Sequence, residues 1–444
     1  MGGGCSGALV AVQLLRHRFS GSLTIIEPRA QLARGIAYST TFHGHLLNVV
    51  AEKMSAFPSQ PLHFLDWLRE RNFPDAAPGL FAPRQVFGEY LSSVLSQEIA
   101  LAGHRFRHVQ ADVTGIECVD DEVQLALTDH STLTADKVVL ALGNPPTGSQ
   151  PVHPPPGIED RWHASPWTGD ALQLRAPGER LLLFGAGQTA VDVVLALQSQ
   201  PGGCLIQILS RSGHLPQVHA ASTAVAPPIP IVPGDSLRHI LHELRAQVRH
   251  ARDAGLPWQA VVDALRPVSN SVWHGLSLTD RRRFHRHLKT FWETHRSRMA
   301  PAIHASLEQY RAAGRVEVIA GRIANITARD GAIEFRIALR GGGERTLQVD
   351  RVINCTGIHE YYQRQPRPLI AALLRQGLAH ANDLDTGFQA DPVGALAGPA
   401  SHLLFTLGPP RRGDLFETIA VPEIRAQAEA LALHLRELRP VNRK

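Results

Sequence analysis

Glycines at positions 2, 4 and 7, and again at 185 and 187, are the residues whose type and spacing point most directly to chemistry. "GGGCSG" (2–7) has the pattern G-x-G-x-x-G. In such a turn the first glycine makes the bend, the second lets a dinucleotide pyrophosphate approach the backbone, and the third packs a helix against a strand. Gly2, Gly4 and Gly7 are therefore candidate cofactor contacts. Twenty positions beyond Gly7, "LTIIE" ends on Glu27, where a carboxylate accepts hydrogen bonds from a ribose. Alone, the glycines also read as a flexible tail. The helix, strand and acid that follow them argue against that. The second pattern, "GAGQTA" (185–190), places Gly185, Gly187 and Ala190 as G-x-G-x-x-A, and its downstream strand ends on Ser210 and Arg211 in place of the acid. A hydroxyl and a guanidinium there suit a ribose 2′-phosphate, so this unit favours NADPH over NADH; the alternative is a surface arginine.

Positioning these groups takes two strand–helix–strand units. Leu9, Val10, Val12, Leu14 and Leu15 recur at roughly helical spacing, and a helix N-terminus there presents free N–H groups to phosphate. Leu181 to Phe184 read as a buried strand, Val191, Val194, Leu195 and Leu197 as the helix after it, and Leu205 to Leu209 as the next strand. Two units of opposite preference are what a flavoprotein reduced by NADPH requires, with FAD on the acid-tipped one. "ADKVVLALGNPP" (135–146) and "VDRVINCTGIHE" (349–360) each run from an Asp through a strand into a glycine turn, as where a chain crosses between an FAD domain and an inserted NAD(P) domain. Ordinary element boundaries are the alternative. The expected fold class is α/β, with two Rossmann-like dinucleotide-binding domains. Residues 1–145 and 351–444 form the FAD domain, split by an NADPH domain at 146–350 that carries a helix-rich insertion at 235–313. The C-terminal part is expected to supply a strand at 403–407, a loop with Gly413 and Asp414, and a long helix whose N-terminus faces the flavin.

A chain of 444 residues, 44% hydrophobic and 19% charged, suits two or three soluble globular domains. Net charge +5 with pI ≈ 9.3 suits anionic cofactors and gives no ground for a nucleic-acid partner. No run of eighteen apolar residues indicates a membrane span, and no basic stretch followed by an apolar one marks a secretory signal. Cys5, Cys118, Cys204 and Cys355 are scattered without a C-x-x-C, which fits a cytoplasmic, reduced protein and argues against a dithiol reductase. "TDRRRFHRHLKTFWETHRSRMAP" (279–301) carries seven Lys or Arg against two acids. It reads as a solvated face over an apolar stripe of Phe284, Leu288, Phe291 and Trp292, or else as an anion site. His285 and His287, two apart, diverge on a helix and mark no metal.

GGGCSG, ARGIAYST (33–40), LLNVVAEKMS (46–55), FAPRQVFGEYL (81–91), GAGQTAVDVV (185–194), SRSGHLP (210–216), HRSRMAP (295–301), NCTG (354–357) and ETIAVPEIRAQA (417–428) occur in this order. Together they resemble the FAD/NAD(P)-binding family that includes aspartate N-monooxygenase and FAD-dependent urate hydroxylase. The resemblance covers nearly the whole chain and is not specific to a substrate. It implies that Gly2, Gly4, Ser6, Gly7 and Glu27, with Thr356 and Gly357, hold FAD, and that Gly185, Gly187, Ala190, Ser210 and Arg211 hold NADPH. Asn48, Arg84 and Glu417, inside the shared motifs, are further candidate contacts to cofactor, Arg84 either binding an FAD phosphate or closing a surface helix cap; Met54 lies either beside the flavin or in the core. The implied activity is an NADPH-reduced, FAD-dependent monooxygenase using O2 on a small nitrogen-containing or polar substrate. A flavin reductase or dehydrogenase without oxygen insertion, and a non-catalytic nucleotide-binding protein, stay open as alternatives. Such chemistry needs little side-chain acid–base work, so no catalytic base is nominated. The chain departs from the family at one place. Members carry several apolar residues before the first glycines, forming the central strand of the FAD sheet, whereas here Met1 alone precedes Gly2. The expectation is that neighbouring strands lack hydrogen-bond partners there, that FAD binding is weakened, and that about five or six aliphatic residues are encoded ahead of Met1.

Overall fold

In the computed structural model, which describes every residue except 72, 103–104, 146–151, 221–223, 225, 330–331, 359–360, 365–366 and 439–444, the opening glycine turn leads at once into helix α1 (Cys5–Arg16). Ala8 through Leu14 are buried on all sides of α1, as an all-round apolar helix must be. Next come β1 (Leu23–Ile26), the short α2 (Gly35–Tyr38), α3 (His63–Arg69), α4 (Arg84–Ala102) and β2 (Phe106–Val109), which pairs parallel to β1. An antiparallel meander of β3 (Val113–Val119), β4 (Glu122–Leu127) and β5 (Thr132–Ala135) follows. β4 alternates buried and exposed residues, the pattern of a sheet with one solvated face. β6 (Val138–Leu140) ends this first part.

The second part opens with β7 (Trp162–His163), β8 (Glu179–Phe184), α5 (Gln188–Gln198) and β9 (Cys204–Ser210). β8, "ERLLLF", is buried almost end to end, because both faces of a parallel sheet are covered. After β9 the chain makes five helices, α6 (Leu237–Asp253), α7 (Trp258–Ala264), α8 (Ser269–Gly275), α9 (Leu278–His287) and α10 (Lys289–Arg296), then α11 (Pro301–Ala312) and β10 (Val316–Arg329). Ser236 and Ser277 cap α6 and α9 by accepting from the amide three residues on. α11 packs on α5 and β10 and so belongs to the sheet layer; the insertion itself ends with α10, earlier than the expected 313. With β11 (Ala332–Leu339), β12 (Glu344–Val349) and β13 (Arg351–Asn354), the strands form a seven-stranded sheet in the order β12-β11-β10-β9-β8-β13-β7. Because β13 pairs with β8 and β7, this sheet runs through Asn354, past the boundary expected at 350.

α12 (Pro368–Arg375), β14 (Leu404–Thr406) and α13 (Val421–Glu437) return to the first part: β14 pairs parallel with β6, and α13 packs along α1. The strand and long helix expected there are β14 and α13. The first part's parallel strands form two separate pairs, β1–β2 and β6–β14. Among the described residues no strand lies between β1 and β6. The gap is bridged by Met1 N donating to Val139 O (2.9 Å), Ala141 N donating to Met1 O (2.9 Å) and Gly2 N donating to Ile26 O (2.9 Å).

Candidate active site

The first glycine turn is sterically determined. Gly2 has φ +91°, and a Cβ there would lie 2.3 Å from the Ala141 carbonyl oxygen. A Cβ on Gly7 would lie 1.9 Å from the Gly2 oxygen, so Gly7 lets α1 settle onto the turn. Gly4 faces Gly35 closely, backbone to backbone. Glu27, 4% exposed, accepts from Gly3 N (2.9 Å) and Arg29 Nε (2.7 Å). Burial alone would raise its pKa; the Arg29 side chain and the Gly3 amide outweigh burial and hold it below the usual carboxylate range. Ser6 sits against Gly408, which is held by Gln427 Oε1 accepting from its N–H (2.9 Å) and by Thr418 Oγ1 donating to its carbonyl (2.8 Å). The C-terminal part thus closes onto the first turn.

The second turn follows the same plan. Gly185 has φ +95°, and a Cβ on it would meet the Cys355 oxygen at 2.5 Å and Thr356 Cα at 2.9 Å. Each turn therefore presses its first glycine against the segment by which the chain leaves that sheet, Gly2 against Ala141 and Gly185 against Cys355. Thr356 donates from Oγ1 to Asn354 Oδ1 (2.8 Å), and Gly357 has φ +90°. Thr356 accordingly backs onto the second turn. Gly187 caps α5 with no atom within 4 Å of where its Cβ would be, and Ala190 is fully buried beneath it. That open approach, with the free N–H groups of the α5 N-terminus, fits a dinucleotide pyrophosphate. At the end of β9, Ser210 Oγ accepts from Gly213 N (3.0 Å), while the exposed Arg211 has no partner among the described residues.

Three other expected contacts are engaged elsewhere. The Arg84 guanidinium is held by protein groups: Nη1 and Nη2 fork onto Asp192 of α5 (2.6 and 3.1 Å), and Nε donates to Leu46 O (2.9 Å). Glu417 accepts from Arg296 Nε (2.7 Å) and Nη2 (3.2 Å), so it joins the insertion to the C-terminal part. Asn48 contributes its carbonyl, which accepts from His219 Nε2 (3.0 Å), while its residue is exposed. Met54, 2% exposed, packs in the core with Phe64 and Leu65.

Several participants carry no local signature. The insertion docks on residues 413–423 through Trp273 Nε1 donating to Gly413 O (2.8 Å), Asn270 Oδ1 accepting from Phe416 N and Glu417 N (2.8 and 2.9 Å), and Arg266 Nε donating to Glu423 (2.7 Å). Arg298, in the shared HRSRMAP motif, is 2% exposed; it pairs with Asp263, and its Nε and Nη1 have no acceptor. Beside it, burial and then the Arg298 charge push the His219 imidazole down to about 4. Burial pushes the Cys5 thiol up to about 12 and the Cys355 thiol higher still, so neither is a thiolate nucleophile near neutral pH. Among the described residues no three His, Cys, Asp or Glu side chains gather as a metal set, and no helix is long and apolar enough to cross a membrane.

Residues 1–145 match the model of a family described as FAD-NAD(P)-binding. No curated protein matches the chain in sequence. Among solved structures, the ornithine N-hydroxylase of Kutzneria sp. 744, captured with reduced FAD, NADP+ and L-ornithine, superposes with TM-score 0.63 at 16% identity, over 98% of this chain and 97% of that one. L-lysine 6-monooxygenase from Pseudomonas syringae gives 0.64 at 18% identity, over 98% and 97%. The FAD-bound cadaverine monooxygenase of Erwinia amylovora gives 0.64 at 12% identity, over 99% and 94%. The first 145 residues are thus similar to the FAD-NAD(P)-binding family, and over nearly its whole length the chain has the fold of these flavin monooxygenases.

Proposed function

We propose that this protein is an FAD-dependent oxidoreductase, reduced by NADPH, that inserts one atom of O2 into a small nitrogen-containing substrate. The observation that carries the reading is the pairing, in one chain, of an acid-tipped glycine turn with an arginine-tipped one, each braced on its crossover segment. Bound FAD would accept two electrons from NADPH and activate oxygen. The chain's own residues do the rest. Glu27, ionised and fixed by Gly3 and Arg29, is placed to accept from a ribose hydroxyl, and Gly2 to Gly7 leave room for the pyrophosphate. The α5 N-terminus receives the NADPH pyrophosphate over Gly187, and the exposed Arg211 with Ser210 receives the 2′-phosphate. The insertion is fastened to the C-terminal part by Arg296 on Glu417, and His219 is fastened to the first part through the Asn48 carbonyl. Arg298, two of whose nitrogens lack an acceptor, is the candidate anchor for an anionic end of the substrate. The enzymes of similar fold are an ornithine N-hydroxylase, an L-lysine 6-monooxygenase and a cadaverine monooxygenase, which supports an amine as the reacting group. The partners on this reading are that small molecule and O2, in the cytoplasm, with no nucleic acid.

The test is incubation of FAD-loaded protein with NADPH, 18O2 and a panel of primary amines and amino acids, read by mass spectrometry. The reading expects one substrate to gain a single 18O on nitrogen. NADPH consumption balanced by hydrogen peroxide, with every amine unchanged, would favour the reductase instead.

A further inference from the structure

We propose that Asp192, gripped by Arg84 and His45, is the clamp that positions the NADPH-side turn against the FAD-side turn for hydride transfer. This rests on the function proposed above. The FAD-side part holds Asp192 twice. Its carboxylate takes both Nη groups of Arg84 (2.6 and 3.1 Å), and its backbone carbonyl accepts from His45 Nε2 (3.0 Å). With Nε2 donating, the neutral His45 ring accepts at Nδ1 from the Thr40 hydroxyl (2.7 Å). His45 is 1% exposed, and burial lowers its pKa more than the nearby Asp192 raises it, which keeps this tautomer neutral.

The two gripping residues are themselves one rigid piece. Arg84 N donates to His45 O (2.8 Å), Arg84 Nε donates to Leu46 O (2.9 Å), and Leu46 bridges to Pro83. α2 packs on α4, where Gly88 sits so close to the Tyr38 carbonyl that a Cβ would lie 2.5 Å from it. From α2 the contact continues to the first turn, through Gly35 against Gly4 and Ala33 N donating to Gly3 O (2.7 Å). At the other end, Asp192 lies little more than one helical turn beyond Gly187, which caps α5. An unbroken series of direct contacts thus joins one dinucleotide turn to the other. A forked ion pair plus a bond to the backbone fixes both the distance and the rotation of α5. Because a buried ion pair adds little net stability over apolar packing, its retention here is explained by geometry. With both cofactors bound, NADPH would supply a hydride to the flavin and become NADP+, solvent would supply the remaining proton, and the part of Asp192, Arg84 and His45 is to hold α5 at the distance and rotation that this transfer needs.

The experiment compares wild type with Arg84→Met, Arg84→Lys, Asp192→Asn and the double variant. Two measurements are made. In cofactor-free protein, hydrogen exchange is followed at 40–46 and at the first turns of α5. In FAD-loaded protein, stopped-flow absorbance under argon gives the limiting rate of flavin reduction, the NADPH dissociation constant and, after dithionite, the rate of reoxidation by O2. Arg84→Met and Asp192→Asn should each raise exchange in the two segments while β8 and β9 stay protected, and should slow reduction about tenfold to a hundredfold. NADPH affinity and reoxidation should change less than about twofold, Arg84→Lys should recover part of the rate, and the double variant should be no slower than either single one. Unchanged reduction despite raised exchange overturns the proposal, and so does loss of protection throughout the sheet, which makes the pair a prop of the fold. Failure of NADPH to reduce wild type overturns the functional reading itself, and the clamp's role with it.

Discussion

At His219 the first part, the seven-stranded sheet and the insertion meet through one neutral imidazole. Its Nε2 donates to the Asn48 carbonyl, and burial together with the Arg298 charge lowers its pKa from 6.5 to about 4. The sign follows from linkage. Between pH 6.5 and about 4 the unfolded chain binds a proton here that the folded chain refuses, so this contribution is complete above 6.5 and is lost as the pH falls towards 4. Its ceiling is about 3 kcal/mol, reduced by the partial exposure of the ring. The comparison is urea denaturation of wild type and His219→Gln from pH 4 to 8. Wild type should lose stability more steeply below 6.5, with the two curves parallel above it. Parallel curves throughout would show that the imidazole is not held neutral. Arg211 shows the opposite design: it is exposed with no partner among the described residues, and on the proposed function it would meet the ribose 2′-phosphate.

Among the elements, the two glycine turns divide the work of their glycines differently. Gly7 is required by the fold, since a Cβ would collide with the Gly2 oxygen at 1.9 Å, whereas Gly187 has open space on that side. Gly7→Ala should therefore lower the melting temperature by several degrees, on the scale of an overpacked core at about 1–3 kcal/mol. Gly187→Ala should leave it within about 1 °C and weaken NADPH binding alone. Equal effects of the two on stability would contradict this division. Both turns and both crossovers were legible in the sequence because their chemistry is local: the spacing of a few glycines, and an Asp, strand and turn in succession. Between β1 and β6 the expected lack of hydrogen-bond partners is in part made good by Met1 and Gly2, which bond to Val139, Ala141 and Ile26. The engagement of Arg84 by Asp192, 108 residues away, was not legible, because an ion pair between distant charges leaves no pattern in either segment. The exit of the second crossover after Asn354 instead of 350 escaped for a related reason, since pairing of β13 with β8 depends on register across the sheet.

Over the whole molecule, charge and architecture agree. The stretch 235–313 holds thirteen Lys or Arg against seven acids, more than the entire net charge of +5, so the rest of the chain is slightly acidic. Part of that basic excess is turned inward, where Arg266 and Arg296 dock the insertion on Glu423 and Glu417. The remainder lies outward on α6 and α9, where Arg238, Arg245, Arg249, Arg282 and Arg286 are exposed, and its field favours the approach of anionic cofactors. The outer side of α9 is the solvated helical face that its sequence implies, whereas the docking surface on 413–423 exists only with the folded C-terminal part. On the proposed function, one chain holds two dinucleotides so that electrons pass between them. The most direct measurement of this is the absorbance of protein saturated with added FAD, freed of excess and titrated with NADPH under argon. The expected result is a protein-bound flavin spectrum that NADPH bleaches at one equivalent per flavin and that air restores. A protein that takes up no flavin at any FAD concentration, or one whose bound flavin NADPH leaves oxidised, would contradict it.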